Sequence, residues 1–264
     1  IPYLNRQMKI TQHLALKLTH LFKAKNRRGF GIHSPFLFGL VQQVLRNKHP
    51  YYCFAKIEAI RNSLRQSNQK IFVQDFGTGK SEQRSIAKIA KTSLATPKDA
   101  QTLFRIARYI QAKSILELGT SLGITTTYLA STGSKVKCVT MEGSDQLIKI
   151  AKQTAHKANL NNITFIQGDI TANLKNTLTQ YEPFDMVYFD ANHTLQHTLL
   201  YFNECVNWAT PSSVFVFDDI NTSFQMNQAW KQIVQHNKVT AALQLSRFGL
   251  VFFDEKLQKK TYYI

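Results

Sequence analysis

Four acidic residues, Glu117, Glu142, Asp169 and Asp190, stand at the ends of four short apolar runs, and a turn carrying Gly119, Ser121 and Gly123 follows the first of them. Residues 114–130, SILELGTSLGITTTYLA, begin as a buried strand (Ile115, Leu116, Leu118), turn on the two glycines and continue into a helical segment rich in Thr, Leu and Ala. Glycine lets the backbone come close to a ligand, and a helix start beside the carboxyl ends of parallel strands presents unpaired N–H groups. That is the chemistry of a nucleotide site. Glu142 lies nineteen residues beyond Gly123, a spacing at which a carboxylate accepts both ribose hydroxyls of a nucleoside cofactor. The turn is not the dinucleotide fingerprint, because Ser121 stands where the second glycine belongs, and no Gly-Lys-Ser/Thr follows to make a phosphate loop. A second glycine stretch, VQDFGTGKS at residues 73–81, has Gln74 where a phosphate loop needs glycine; it reads as a flexible basic loop near the cofactor mouth.

The elements that must position these residues alternate. Strands are expected at residues 136–141, 163–167, 185–190 and 213–218, with helices over 144–159, 195–208 and 223–236, which implies an α/β protein built on a parallel sheet. Two final strands, 239–245 and 249–254, are joined only by Ser246, Arg247 and Phe248, too short for a parallel crossover, so they pair antiparallel. Ahead of the glycine turn the pattern is helical. A basic amphipathic helix is expected over residues 8–25, a helix opened by Ser34-Pro35 through Leu45, others at 55–65 and 85–94, and one opened by Thr96-Pro97 over 98–110.

The strand, glycine turn and helix with acids at successive strand ends resemble class I S-adenosylmethionine (SAM)-dependent methyltransferases over about residues 96–255, and the helix opened by Thr96-Pro97 resembles the catechol-type O-methyltransferases. The resemblance implies a Rossmann-like sheet, mostly parallel with an antiparallel last strand, in a SAM-binding domain at residues 96–264, preceded by a basic helical N-terminal cap at residues 1–95. It implies that Glu117, Gly119, Thr120, Ser121 and Gly123 pass the methionine part of SAM, that Glu142 and Gly143 meet the ribose, that Asp169 reads the adenine amino group with Ile170 against the ring, and that Asp190 borders the cofactor. In metal-dependent members an aspartate ending the fourth strand and an acidic-polar pair ending the fifth bind a magnesium-like ion that holds the acceptor hydroxyl, which assigns Asp190, Asp218 and Asp219 here. His193, beside Asp190, is the implied proton acceptor. Two departures stand out: Asp219 replaces the asparagine of the catechol enzymes, and His193 stands where bacterial relatives have lysine. The Asp, Asp-Asp set resembles instead the sugar O-methyltransferases. The expected activity is therefore O-methylation of a small-molecule hydroxyl.

Charge divides the chain. Residues 1–113 hold 21 Lys and Arg against 4 Asp and Glu, whereas the remainder holds 12 of each, so the whole net charge of +17 has its source ahead of the glycine turn. A basic front segment suits an anionic partner, RNA or an acidic membrane surface among them, and keeps two rivals in view: an RNA methyltransferase, and a non-catalytic SAM-binding module. No apolar run approaches the ~20 residues of a membrane span, and no secretory leader is legible. Three widely separated cysteines, Cys53, Cys138 and Cys205, argue for a reducing, cytoplasmic setting and against a disulfide frame.

Overall fold

A computed structural model of the chain describes residues 19, 22–74, 81–181 and 183–264. The helix expected over residues 8–25 therefore lies almost wholly outside the described residues, as does the middle of the 73–81 loop. The chain divides into two compact units, residues 44–186 and residues 1–43 with 187–264.

In the first unit, α2 (Tyr52–Arg65) is followed by a hairpin of β1 (Lys70–Gln74) and β2 (Ser81–Ser85), then by α3 (Ile86–Thr92) and α4 (Pro97–Tyr109). The hairpin corrects the sequence expectation, which gave residue 81 to a loop. Ser81–Ser85, SEQRS, has no apolar alternation; it is a strand because it pairs antiparallel with β1, Ile71 opposite Arg84 and Val73 opposite Glu82. Then β3 (Ser114–Leu118), α5 (Ile124–Ala130), β4 (Lys137–Glu142), α6 (Asp145–Lys157) and β5 (Ile163–Gln167) alternate as the sequence pattern predicts, and α7 (Ile170–Gln180), a helix the pattern did not give, follows. β3, β4 and β5 run parallel, with Leu118 beside Met141 and Glu142 beside Gln167, so their carboxyl ends line up.

One apolar cluster joins the front of this unit to its glycine-turn helix: Phe54 and Ile57 of α2, Ile71 of β1 and Ile89 of α3 share it with Phe104 and Tyr128 of α4 and α5. A buried polar tie adds direction. The Tyr128 hydroxyl donates to Glu58 at 2.8 Å, Arg61 donates to the same Glu58 oxygen at 3.0 Å, and its fork reaches the Ala95 carbonyl at 2.7 Å. Helix starts carry their caps: Thr96 accepts from the Asp99 amide at 3.2 Å ahead of Pro97, and Ser144 opens α6.

In the second unit α1 (Pro35–Leu40), capped by Ser34 and continued by a π turn over Val41–Leu45 that runs on into the other unit, precedes β6 (Met186–Phe189), α8 (Leu195–Cys205), β7 (Val214–Phe217), α9 (Phe224–Gln235), β8 (Ala241–Gln244), β9 (Gly249–Phe252) and β10 (Lys260–Tyr263). The expected antiparallel pair is present: β9 lies antiparallel to both β8 and β7. β10 was not legible in the sequence; it pairs parallel with β8. Asn26 pairs with it, donating its amide N–H to the Tyr263 carbonyl at 2.9 Å and accepting the Tyr263 N–H on its side chain at 3.1 Å. Among the described residues the main sheet has eight strands in the order β10-β8-β9-β7-β6-β3-β4-β5, mostly parallel and flanked by helices.

Candidate functional site

The glycine turn follows β3 and is held against the end of β4. The Gly119 and Thr120 amides both donate to the Met141 carbonyl, at 3.0 and 3.2 Å. Gly119 and Gly123 have φ of 101° and 78°, and a Cβ on Gly123 would come within 2.9 Å of the Ala151 backbone, so this turn can close only with glycine there. Glu142 ties the turn to the next helix: one carboxylate oxygen accepts the Ser121 N–H at 2.9 Å and the other the Ser144 N–H at 3.1 Å. Gly143 bridges the two, half-buried.

Glu117 is fully buried and accepts from the hydroxyls of Thr126 and, at 2.7 Å, of Thr140, which also pairs with Thr120 at 2.6 Å. At the end of β5, Gly168 donates to the Glu142 carbonyl at 2.9 Å, and Asp169 caps α7 by accepting the Thr171 N–H at 2.9 Å. Ile170 is buried beside it. The expected residues Glu117, Gly119, Thr120, Ser121, Gly123, Glu142 and Asp169 thus gather at the aligned ends of β3, β4 and β5.

The second unit gathers the other acids. Asp190 follows β6 and stands 3.3 Å from the His193 ring. Asp218 follows β7, is fully buried and meets four donors. Arg247 places Nε and Nη2 on its two oxygens at 2.6 Å each, the Tyr188 hydroxyl adds a bond at 3.1 Å, and the Asp219 amide one at 2.8 Å. Asp219 lies 3.4 Å from Arg247 Nε. Asn192, His193 and Asp219 have φ of 60°, 33° and 54°, in the left-handed region, which costs non-glycine residues roughly 1–3 kcal/mol each and is held here by the surrounding bonds.

Electrostatics follow the geometry. Burial, then the charge of Asp218, pushes the Asp190 carboxyl up to about 7, with the His193 hydrogen bond and charge pulling the other way. Burial works against a charged His193, but the hydrogen bond and charge of Asp190, with Asp219 and Asp218 behind it, outweigh it and hold the imidazole at about 9. Burial would likewise lower the Arg247 guanidinium, and the hydrogen bond and charge of Asp218 raise it instead.

Arg247 is the member of this cluster that goes unread in the sequence. The register explains its place: Phe217 of β7 sits opposite Gly249 of β9, so the 246–248 turn lands beside Asp218. The Ile220 amide donates to the Arg247 carbonyl at 3.1 Å, and Asn221 donates to the Ser246 carbonyl at 3.0 Å. One signal was available. Of the twelve basic residues after position 113, eleven are lysines and Arg247 is the single arginine; a planar fork is the residue type that matches a carboxylate with two parallel bonds.

Of the three aspartates expected to hold a magnesium-like ion, Asp218 and Asp219 meet this guanidinium and Asp190 meets His193. A divalent ion needs carboxylate oxygens directed at it; both Asp218 oxygens are directed at Arg247, and one Asp190 oxygen at His193. As arranged, the donor set does not fit a metal, and among the described residues no group of three His, Cys, Asp or Glu side chains is placed to hold one.

No curated protein sequence matches the chain. Solved structures do. An O-methyltransferase from Bacillus cereus in complex with SAH is 22% identical with a TM-score of 0.56, over 80% of this chain and 94% of that one. The O-methyltransferase TomG of Streptomyces achromogenes, in complex with SAM, is 17% identical with a TM-score of 0.57, over 81% and 94%. The SAH-bound methyltransferase PaMTH1 of Podospora anserina is 13% identical with a TM-score of 0.59, over 85% and 97%. At these identities the likeness is one of fold. A family description, the methyltransferase domain, matches residues 111–264, from just before β3 to the last residue and more than half of the chain. The glycine turn, the aligned strand ends and the antiparallel β9 all fall inside that match, and on it the chain belongs to the methyltransferase domain family.

Proposed function

We propose that this methyltransferase takes its methyl group from SAM and transfers it to a hydroxyl oxygen of a small molecule. The observation that carries the first half is Glu142, whose carboxylate is fixed by the Ser121 and Ser144 amides at the mouth of the glycine turn. A carboxylate accepts up to about four hydrogen bonds, so a residue pinned by two amides at a strand end suits the paired hydroxyls of a ribose. Asp169 and Ile170 would meet the adenine, and Gly119 to Gly123 the methionine part. SAM supplies an electrophilic methyl group; what the chain must supply is a deprotonated acceptor oxygen held in line with it.

His193 and Asp190 are suited to that second task. The neutral imidazole takes the acceptor proton, and Asp190, 3.3 Å away, steadies the imidazolium that results. Carboxylates and imidazole around one edge also favour a hydroxylated acceptor over an apolar one. The solved O-methyltransferases that share the fold favour a small molecule over RNA, for which the basic front segment is the single argument.

Two further parts of the reading concern the chain as a whole. Residues 1–95 act as a helical cap and not as a separate domain; for residues 53–95 the support is the core that α2, β1 and α3 share with α4 and α5. The protein works in the cytoplasm, supported by three buried free cysteines; no helix among the described residues is long and apolar enough to cross a membrane. The test is calorimetry with SAM and with NAD, followed by a radiolabelled methyl-transfer screen over hydroxylated small molecules. Tight binding of NAD in place of SAM would end this reading.

A further inference from the structure

We propose that Arg247 is a positioning residue that supplies, from within the chain, the positive charge a divalent ion would otherwise bring to Asp218 and Asp219, so that the acceptor side of the site works without metal. The inference rests on the methyl-transfer reading for its purpose, and on geometry for its content.

Three carboxylates that converge repel one another unless a cation lies among them. The charge of Asp218 bears on Asp190, and Asp218 and Asp219 meet the same guanidinium, so the acids do converge. The cation present is Arg247. Its fork is bidentate, with both bonds at 2.6 Å, and its partner is fully buried, the setting in which a charge-assisted pair is strongest. It is also locked from behind. Its own carbonyl accepts the Ile220 amide, Asn221 holds Ser246, and the Leu245 amide closes the turn on the Phe248 carbonyl at 2.8 Å. A guanidinium fixed in this way is not a side chain that happens to lie across an open metal site. It occupies the oxygens a metal would need, and it leaves Asp190 to pair with His193.

The experiment separates this from the reaction itself, because it needs no methyl acceptor. Mn²⁺ is titrated into the full chain and followed by electron paramagnetic resonance, with D218N as the control for adventitious sites. The wild-type chain should show no saturable binding that D218N removes, even at millimolar Mn²⁺. R247Q should gain such a site and lose it again in the R247Q/D218N double variant. R247M, which keeps an apolar stem of similar length, takes the place of R247Q if that variant does not fold. Turnover on any verified acceptor should survive chelator in the wild type. Wild-type Mn²⁺ binding that D218N abolishes overturns the proposal, as does a folded R247Q or R247M with no gain of Mn²⁺. SAM affinity measured on the same samples reports on the methyl-transfer reading alone, so the two can fail separately.

Discussion

Carboxylates end strands in both units of this molecule, and the two units satisfy them with different partners. Around β3 and β4, Glu117 and Glu142 are held by neutral donors, the hydroxyls of Thr126 and Thr140 and the amides of Ser121 and Ser144. Around β6 and β7, Asp190 and Asp218 are held by ionic partners, His193 and Arg247. The difference has a chemical meaning. Amides and hydroxyls fix a carboxylate without bringing a countercharge, whereas a cation cancels its charge and tunes its proton affinity. The first arrangement suits binding, the second suits moving a proton.

The sharpest way to break the contrast is at His193. If it is the proton acceptor, His193→Ala should lower kcat by roughly 10²–10⁴-fold, the usual worth of a positioned general base, and leave SAM affinity almost untouched. Steady-state kinetics beside calorimetry check this; a matching loss of SAM affinity would move His193 to the cofactor side. Next in size, Asp218→Ala should destabilise the fold by about 3 kcal/mol, because the guanidinium of Arg247 and the buried Tyr188 hydroxyl lose their shared partner. Urea unfolding measures it, and a variant as stable as the wild type would show the pair to be dispensable.

Glu142→Ala should weaken SAM binding by roughly 1.5–3 kcal/mol, the range for hydrogen bonds to a charged group, with little change in kcat at saturating SAM. Unchanged affinity removes Glu142 from the binding side of the comparison. The smallest effect is in pH. His193 must be neutral to act, and Asp190 holds it protonated up to about 9, so kcat should climb with pH and level off near there. Asp190→Asn removes the charge that favours the imidazolium and should move that limb downward, toward the ordinary histidine range. The same shift has a stability side. The folded value is raised, so the contribution of the protonated His193 is present below the unfolded histidine value and fades as pH rises through about 9. A limb that stays in place in Asp190→Asn assigns the titration to another group.

The binding side was the more legible in the sequence, and for a physical reason. A glycine turn, the strand before it and the acid at the end of the next strand are set by local steric needs and by a short crossover, so residues 114–142 carry the information for their own arrangement. The alternation of strands and helices and the short 246–248 connection were readable on the same basis. The ionic side depends on pairing across distance. Arg247 meets Asp218 only because β9 comes back beside β7, and the register that brings a residue into place 29 positions away is not written in either segment alone. Ser81–Ser85 and Lys260–Tyr263 are strands for a similar reason: each takes its conformation from the partner it pairs with. What the sequence concealed was the cation that Asp218 and Asp219 share.

Asn26 bears on how this protein behaves at high concentration. Among the described residues β10 is the last strand of its sheet on that side, and an uncovered edge offers its N–H and C=O groups to any other extended chain, including another copy of itself. By engaging both the carbonyl and the amide of Tyr263, Asn26 fills the hydrogen-bonding positions there that a docking strand would use. It is a plug one residue long. Asn26→Ala keeps the backbone donor and loses the side-chain acceptor, leaving the Tyr263 amide exposed for pairing, so the variant should be the first to form concentration-dependent dimers and sheet-rich aggregates under light scattering.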